Sequence, residues 1–168
     1  MVSELRAEVT VSWRWSALPT VTATAKPAVA PIAESVRGER LEADFCPVTA
    51  EGDRLTTDRF RRLLAAGGYQ VLGAAEPGNP RERSARAWTE FGDLDKLGHD
   101  LGAKLAGRID DQLVLLVDRI HGLLEAGWKK VRVVTDHGWL LLPGGMPKVQ
   151  LPKYLAESRW SRCASIKD

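Results

Sequence analysis

The stretch from residue 110 to residue 136 joins a long amphipathic segment to a short apolar one. Between Asp110 and Ala126, apolar residues recur at the spacing of a single helical face; they are Leu113, Leu116, Val117, Ile120 and Leu124. Gly127 stands where such a helix would end. The following run, KKVRVVTD at 129–136, predicts a central parallel strand covered on both faces.

The rest of the chain alternates between the same two kinds of element. Strands are predicted at 8–13, 69–73 and 85–92, with mostly loop at 36–55. Helices are predicted at 58–66, ended by Gly67 and Gly68, and from Asp95 to about residue 107. Pro19 and Pro27 are expected to break regular structure. This order predicts a single partial α/β domain over residues 1–168, with a mostly parallel sheet and helices on both faces.

Composition excludes several classes of protein. The net charge is only +2, with 24 Lys and Arg against 22 Asp and Glu, which argues against a dedicated nucleic-acid or membrane binder. The two cysteines, Cys46 and Cys163, lie far apart without CxxC spacing, as is usual in a reducing compartment. The N-terminal residues are too charged for a signal peptide. We therefore expect a soluble, cytoplasmic protein.

Asp136 and His137 come directly after the predicted strand, where ligands bind in many α/β folds. Neighbouring side chains on an ideal strand point to opposite faces, so the two converge on one metal ion only if the chain turns. Gly138 is expected to allow that turn through a positive φ. The alternative is an ordinary turn in which Asp136 accepts backbone hydrogen bonds and His137 is exposed. The apolar lead-in favours the metal site, because a buried Asp needs a partner.

Two further places carry chemically capable side chains. Asp95 and His99 stand four residues apart, so on a helix they share one face and fit one metal ion; alternatively, Asp95 caps the helix and His99 is a surface residue. The PTVT segment holds Thr20 and Thr22, and a threonine hydroxyl needs a metal or a base to act as a nucleophile. Its alternative is a loop with a threonine cap.

The third histidine is His121. It stands near Asp118 and Glu125 on the polar side of the amphipathic helix. Its position predicts a solvated residue without a role in the site.

Taken in order, PTVT, DKLGH and TDHG resemble the motifs of the alkaline phosphatase superfamily. The stretches ALPTVTATAKPAVAPI and TDHGWLLLPGGMPKVQLPKYLAESRWSRCA are more specifically similar to PglZ proteins. PglZ proteins are the phosphatase-like components of BREX bacteriophage-exclusion systems. The resemblance covers most of the chain, and its C-terminal run is the most specific part.

The resemblance implies a phosphatase or phosphodiesterase that acts through two divalent metal ions, zinc or manganese. Thr22 would be the nucleophile, with Thr20 as the fallback. Asp95 and His99 would hold one metal ion, and Asp136 with His137 the other. The substrate would be a phosphoester, hydrolysed through a phosphothreonine.

Two ligands of the family's metal site have no counterpart in this sequence. The family places a metal-binding Asp well upstream of the nucleophile, whereas the only acids before Thr22 are Glu4 and Glu8. The family's last ligand is a downstream His, and no histidine follows His137. We therefore expect an incomplete fold, from a longer protein or a truncated gene, that is weakly active or inactive. Whether the chain is itself an enzyme stays open.

A second class of function is an interaction module. On this hypothesis the domain is a scaffold that contacts other BREX proteins, and the metal motifs are relics. Direct DNA binding is disfavoured, because the arginines at 59–62 and 81–86 are interleaved with acids.

Overall fold

The computed structural model describes residues 9–38, 45–138, 152, 156–160 and 163–166. Within these ranges the chain is a small mixed α/β protein, which confirms the predicted class at that level. Its elements, in chain order, are α1 (Thr22–Val29), β1 (Val36–Arg37), β2 (Val48–Thr49), α2 (Thr57–Ala66), β3 (Gln70–Leu72), β4 (Ala87–Thr89), α3 (Leu94–Leu101), α4 (Ile109–Glu125), β5 (Ala156–Trp160) and β6 (Cys163–Ile166). Two 3-10 helices, Ala33–Ser35 and Gly102–Arg108, complete the set.

The described strands form three two-stranded sheets. β1 pairs with β2 and β5 with β6, both antiparallel. β3 and β4 are parallel, with Val71 opposite Trp88. The large, mostly parallel sheet expected from the sequence is therefore not present among the described residues.

The chain divides into two compact units. In the described ranges, unit 1 comprises residues 9–13 and 68–133, and unit 2 comprises 14–38, 45–67, 134–138, 152, 156–160 and 163–166. Unit 1 therefore contains β3, β4, α3 and α4. Unit 2 contains the other labelled elements.

Unit 2 has the larger set of buried apolar side chains among the described residues. They are Val21, Ala25, Ala30, Ile32, Phe45, Cys46, Leu55, Phe60 and Leu64. Helix α2 contributes through Phe60 and Leu64, which stand four residues apart and so share a face. The Thr56 hydroxyl caps this helix by accepting from the Arg59 amide at 3.3 Å. The Lys26 ammonium of α1 lies 5.1 Å from the centre of the Phe60 ring, which links the two helices of unit 2.

Unit 1 is built around α4. Its buried apolar residues in the described ranges are Leu105, Val117 and Leu123, and the other residues of the predicted α4 stripe are half-buried. The helix ends before Gly127, whose φ of 109° confirms the predicted stop. Arg119 on α4 donates to the carbonyls of Gly73 (3.3 Å) and Glu76 (2.7 Å), so the helix also holds the loop after β3.

Two predicted strands are wrong. Residues 9–13 and 129–136 form no strand, and Val11, Val133 and Val134 are exposed. A strand requires a neighbouring strand to satisfy its N–H and C=O groups, and neither segment takes part in a sheet of the described part of the molecule. Apolar alternation shows what a segment would bury if paired, but it does not supply the partner.

Two expectations about backbone breakers are also corrected. Pro27 lies inside α1 rather than ending it, and its ring is buried in unit 2. The lost hydrogen bond is tolerated in so short a helix because packing holds the ring in place. Gly138 does not have a positive φ, and no atom of the described residues lies within 4 Å of the position where a Cβ would stand. The chain therefore needs no glycine there.

Candidate active site

Thr22 is the first residue of α1 in unit 2. The turn before it is closed by the Val21 amide, which donates to the Pro19 carbonyl at 2.8 Å. The Val21 side chain is buried, which anchors the start of the helix. Thr22 makes no cap, because the N-cap position is Val21 and no side chain fills that role. Its exposed hydroxyl is therefore not needed by the helix.

The Thr22 hydroxyl faces His137. Its Oγ1 atom lies 3.5 Å from Nε2 of His137, across 115 positions of sequence. That distance is at the long limit of a hydrogen bond, as is common in catalytic sites without substrate. Both residues belong to unit 2. Thr22 therefore stands beside the predicted metal-binding histidine.

Asp136 and His137 converge without a strand and without a positive φ at Gly138. The His137 amide donates to Asp136 Oδ1 at 3.0 Å, which turns the carboxylate back along the chain. The other oxygen, Oδ2, lies 3.9 Å from His137 Nε2. The side chains are 26% and 8% exposed, respectively. Asp136 thus accepts a backbone hydrogen bond as the alternative turn expected, whereas the His137 side chain is not exposed as that alternative required.

The imidazole of His137 is oriented by its other nitrogen. Nδ1 lies 3.3 Å from the Gly138 carbonyl, which can only accept, so Nδ1 carries the proton of this hydrogen bond. In the neutral ring, Nε2 then holds the lone pair and can accept from the Thr22 hydroxyl. A backbone carbonyl on one nitrogen commonly fixes the other as a metal ligand.

The second predicted pair lies on α3 in unit 1. His99 Nε2 is 3.7 Å from Asp95 Oδ2, as expected for residues four apart on one helical face. The N-cap of this helix is Asp93, so Asp95 does not cap it. The two side chains are well exposed, His99 at 62% and Asp95 at 52%.

Both pairs fit two ligands of one metal ion. Bonds of about 2.0–2.2 Å to zinc place two donors roughly 3.3–3.6 Å apart, so a small side-chain rotation closes either pair onto an ion. Within the described ranges, no group of three or more His, Cys, Asp or Glu side chains is arranged to hold a metal. Each pair therefore offers two protein donors.

His121 differs from its prediction as a solvated residue. It is half-buried, and its Nε2 atom is shielded from solvent without a hydrogen-bond partner in the described part of the chain. It lines an open groove of about 570 Å³ along α4 with Val114, Val117, Asp118, Gly122 and Glu125. This groove belongs to unit 1 and involves none of the predicted site residues.

Sequence reasoning missed one residue of the site. Ser16 Oγ donates to the backbone carbonyl of Asp136 at 2.7 Å, across 120 positions. No local sequence pattern predicts such a contact, because serine is common in loops and its partner here is a backbone atom.

Comparison with family models, curated proteins and solved structures gives no match. No helix in the ranges described combines the length and apolar character needed to cross a bilayer.

Proposed function

We propose that this chain carries the nucleophile and metal-binding residues of a metal-dependent phosphoester hydrolase, of the PglZ type within the alkaline phosphatase superfamily. The observation that carries the proposal is the approach of Thr22 Oγ1 to His137 Nε2, 3.5 Å apart. Two motifs far apart in sequence thus meet in unit 2 and bring a hydroxyl close to an imidazole nitrogen. The proposal includes a mostly parallel sheet in the complete fold, of which this chain would hold part.

Thr22 is the proposed nucleophile. Its Oγ1 forms a bond to phosphorus, the bond from phosphorus to the leaving alcohol breaks, and the threonine proton passes to solvent. Water then hydrolyses the phosphothreonine and restores the hydroxyl. The first turn of α1 carries no acidic residue, so its amides favour the negatively charged phosphoryl group.

Asp136 and His137 are the proposed ligands of one divalent metal ion, and Asp95 and His99 of another, with zinc or manganese as the metal. When bound, such ions polarise the phosphoryl group and lower the pKa of the hydroxyl. The chain's own contribution is orientation. Gly138 fixes the imidazole of His137, and the His137 amide fixes the carboxylate of Asp136.

The test is to trap the covalent species. The purified chain is incubated with zinc or manganese and a phosphoester with a good leaving group, quenched in acid, and its peptides are examined by mass spectrometry. We expect phosphate on Thr22, none in Thr22→Ala, and unchanged labelling in Thr20→Ala. Because the family's two remaining ligands are absent, slow labelling without rapid turnover is the expected outcome.

Labelling of Thr20, or equal labelling after Thr22→Ala, would overturn the assignment of the nucleophile. If neither this chain nor a longer form encoded in the same reading frame is labelled with either metal, the hydrolase proposal fails.

A second candidate function is an interaction module of a cytoplasmic phage-defence system. The observation that favours it is the exposed apolar side chains at 11–18, including Trp13 and Trp15, which are 86% and 90% exposed. Pull-down from cells that contain other BREX proteins tests it. Binding that survives loss of Asp136 and His137 but not of both tryptophans would favour the module over the hydrolase.

A further inference from the structure

Ser16 ties the segment that precedes Thr22 to the segment that carries Asp136 and His137. We propose that Ser16 is a positioning residue, whose hydrogen bond to the Asp136 carbonyl sets the distance between Thr22 and His137. This role rests on the proposed function, since it assigns Ser16 to the same site. The bond itself, at 2.7 Å from Ser16 Oγ to the carbonyl oxygen, has the ordinary length of a good O–H···O hydrogen bond.

Two hydrogen bonds of Asp136 and His137 are local. The bond from the His137 amide to Asp136 and the bond from Nδ1 to Gly138 join neighbouring residues. They orient the two side chains against their own backbone, but they do not place that backbone relative to Thr22. The hydrogen bond from Ser16 joins that backbone to the segment that leads into Thr22.

The path from Ser16 to Thr22 is short and constrained. Six positions separate them, and the last four contain the turn from Pro19 to Val21. The Val21 carbonyl accepts from the amides of Thr24 (3.0 Å) and Ala25 (2.8 Å), while its side chain is buried. A shift of the Asp136 backbone relative to Ser16 therefore appears as a change in the Thr22–His137 distance.

Within the described ranges, the Asp136 carbonyl accepts a hydrogen bond from the Ser16 hydroxyl. Residues 129–136 form no strand, so no sheet hydrogen bond in the described ranges serves this carbonyl. Ser16 and Asp136 are both half-buried, and reduced contact with water strengthens the hydrogen bond that remains.

The experiment measures the Thr22–His137 distance directly. Nuclear Overhauser effects between the Thr22 methyl group and the His137 ring are recorded in the native chain, Ser16→Ala, Ser16→Thr and the control Ser12→Ala, which removes an exposed hydroxyl from the same segment. With three histidines in the chain, His137→Gln assigns the ring signals. We expect the effect to be lost in Ser16→Ala, kept in Ser12→Ala and restored in Ser16→Thr.

Zinc titration followed at the His137 ring gives a second readout. Loss of a residue that orients metal ligands typically lowers affinity by about 10–100-fold, so we expect that loss in Ser16→Ala and native affinity in Ser12→Ala. Neither readout depends on turnover. An inactive chain with the expected pattern retains the positioning role and rejects the hydrolase; an active chain in which Ser16→Ala leaves both readouts unchanged does the reverse.

If Ser16→Ala does not fold, the proposal is tested by comparing Ser16→Thr with Ser16→Val. The two side chains have nearly the same shape, but only threonine has a hydroxyl. The proposal requires the Thr22–His137 contact in the threonine variant and its loss in a folded valine variant. Equal contacts in both, or a valine variant that also fails to fold, would show that Ser16 stabilises the chain without positioning the pair.

Discussion

The two Asp–His pairs use the same side chains but are held together in different ways. Asp95 and His99 meet because one helix, α3, places residues four apart on the same face, and both stay largely in water. Asp136 and His137 are neighbours in an irregular segment and are held by contacts that span more than a hundred positions. Their side chains are correspondingly more buried.

The difference shows that the placement of two metal-binding side chains can depend on one helix or on the whole folded unit. A pair on one helix forms whenever that helix forms, but water competes for its donors and salt screens its charge. A pair fixed by long-range contacts forms only when its unit is folded. Because it is then less exposed to water, it attracts a cation more strongly. We therefore expect the Asp136–His137 pair to bind zinc more tightly than Asp95–His99.

The largest expected effect is on stability, from a substitution in the core of unit 2, which holds Asp136 and His137 in place. Leu64 of α2 is fully buried in unit 2, and Leu64→Ala should lower the free energy of unfolding by about 2–5 kcal/mol. Zinc binding at Asp136–His137 should weaken more than binding at Asp95–His99. Denaturant unfolding and histidine-resolved zinc titration measure the two effects, with the exposed Leu115→Ala as control. An equal loss of zinc affinity at both pairs would contradict the view that only Asp136–His137 depends on the fold of unit 2.

The next effect separates the two pairs by their histidines. His137→Gln should reduce the affinity of the tighter zinc site by about 10–100-fold or more, whereas His99→Gln should affect only the weaker site. Calorimetric titration of the native chain and both variants tests this, with His121→Gln as the control. The ranking fails if His99→Gln removes the tighter site.

Replacing the glycine near each Asp–His pair should have a smaller effect on stability, and the two replacements should differ from each other. Gly102 ends α3 with a φ of 54° and a ψ of −128°, a conformation that side chains rarely adopt. Gly102→Ala should therefore cost about 1–3 kcal/mol of stability. Thermal or denaturant unfolding measures the loss, and Gly107→Ala, at a position with open space and no positive φ, is the matched control.

The smallest effect is expected at Gly138. A Cβ there meets no atom within 4 Å, and φ is not positive. Gly138→Ala should change the free energy of unfolding by less than about 0.5 kcal/mol and leave zinc binding at His137 intact, because the contact with His137 uses only the carbonyl of residue 138. A large loss of zinc affinity in this variant would mean that the turn does need glycine, as the sequence alone had indicated.

Prediction from sequence succeeded where the signal is local. α2 and α4 lie within one residue of their predicted ends, since their caps and apolar spacing are properties of neighbouring residues. β3 and β4 fall inside their predicted ranges. The spacing of four residues also predicted correctly that Asp95 and His99 share one face of a helix. Residues 9–13 and 129–136 form no strand, because pairing depends on a second segment, which apolar alternation cannot specify.

The amino-acid sequence alone predicted α2 and α4 with their ends and the surface pair on α3, because helical hydrogen bonds join residues only four apart. It did not predict α1, and it continued α3 past Leu101. It also supplied the candidates Thr22, Asp136 and His137, through motif resemblance rather than through any calculable contact. The tertiary structure was needed to show that Thr22 faces His137 and that Ser16 donates to the Asp136 carbonyl. Contacts across 115 and 120 positions depend on how all of unit 2 packs, and no short stretch of sequence encodes that.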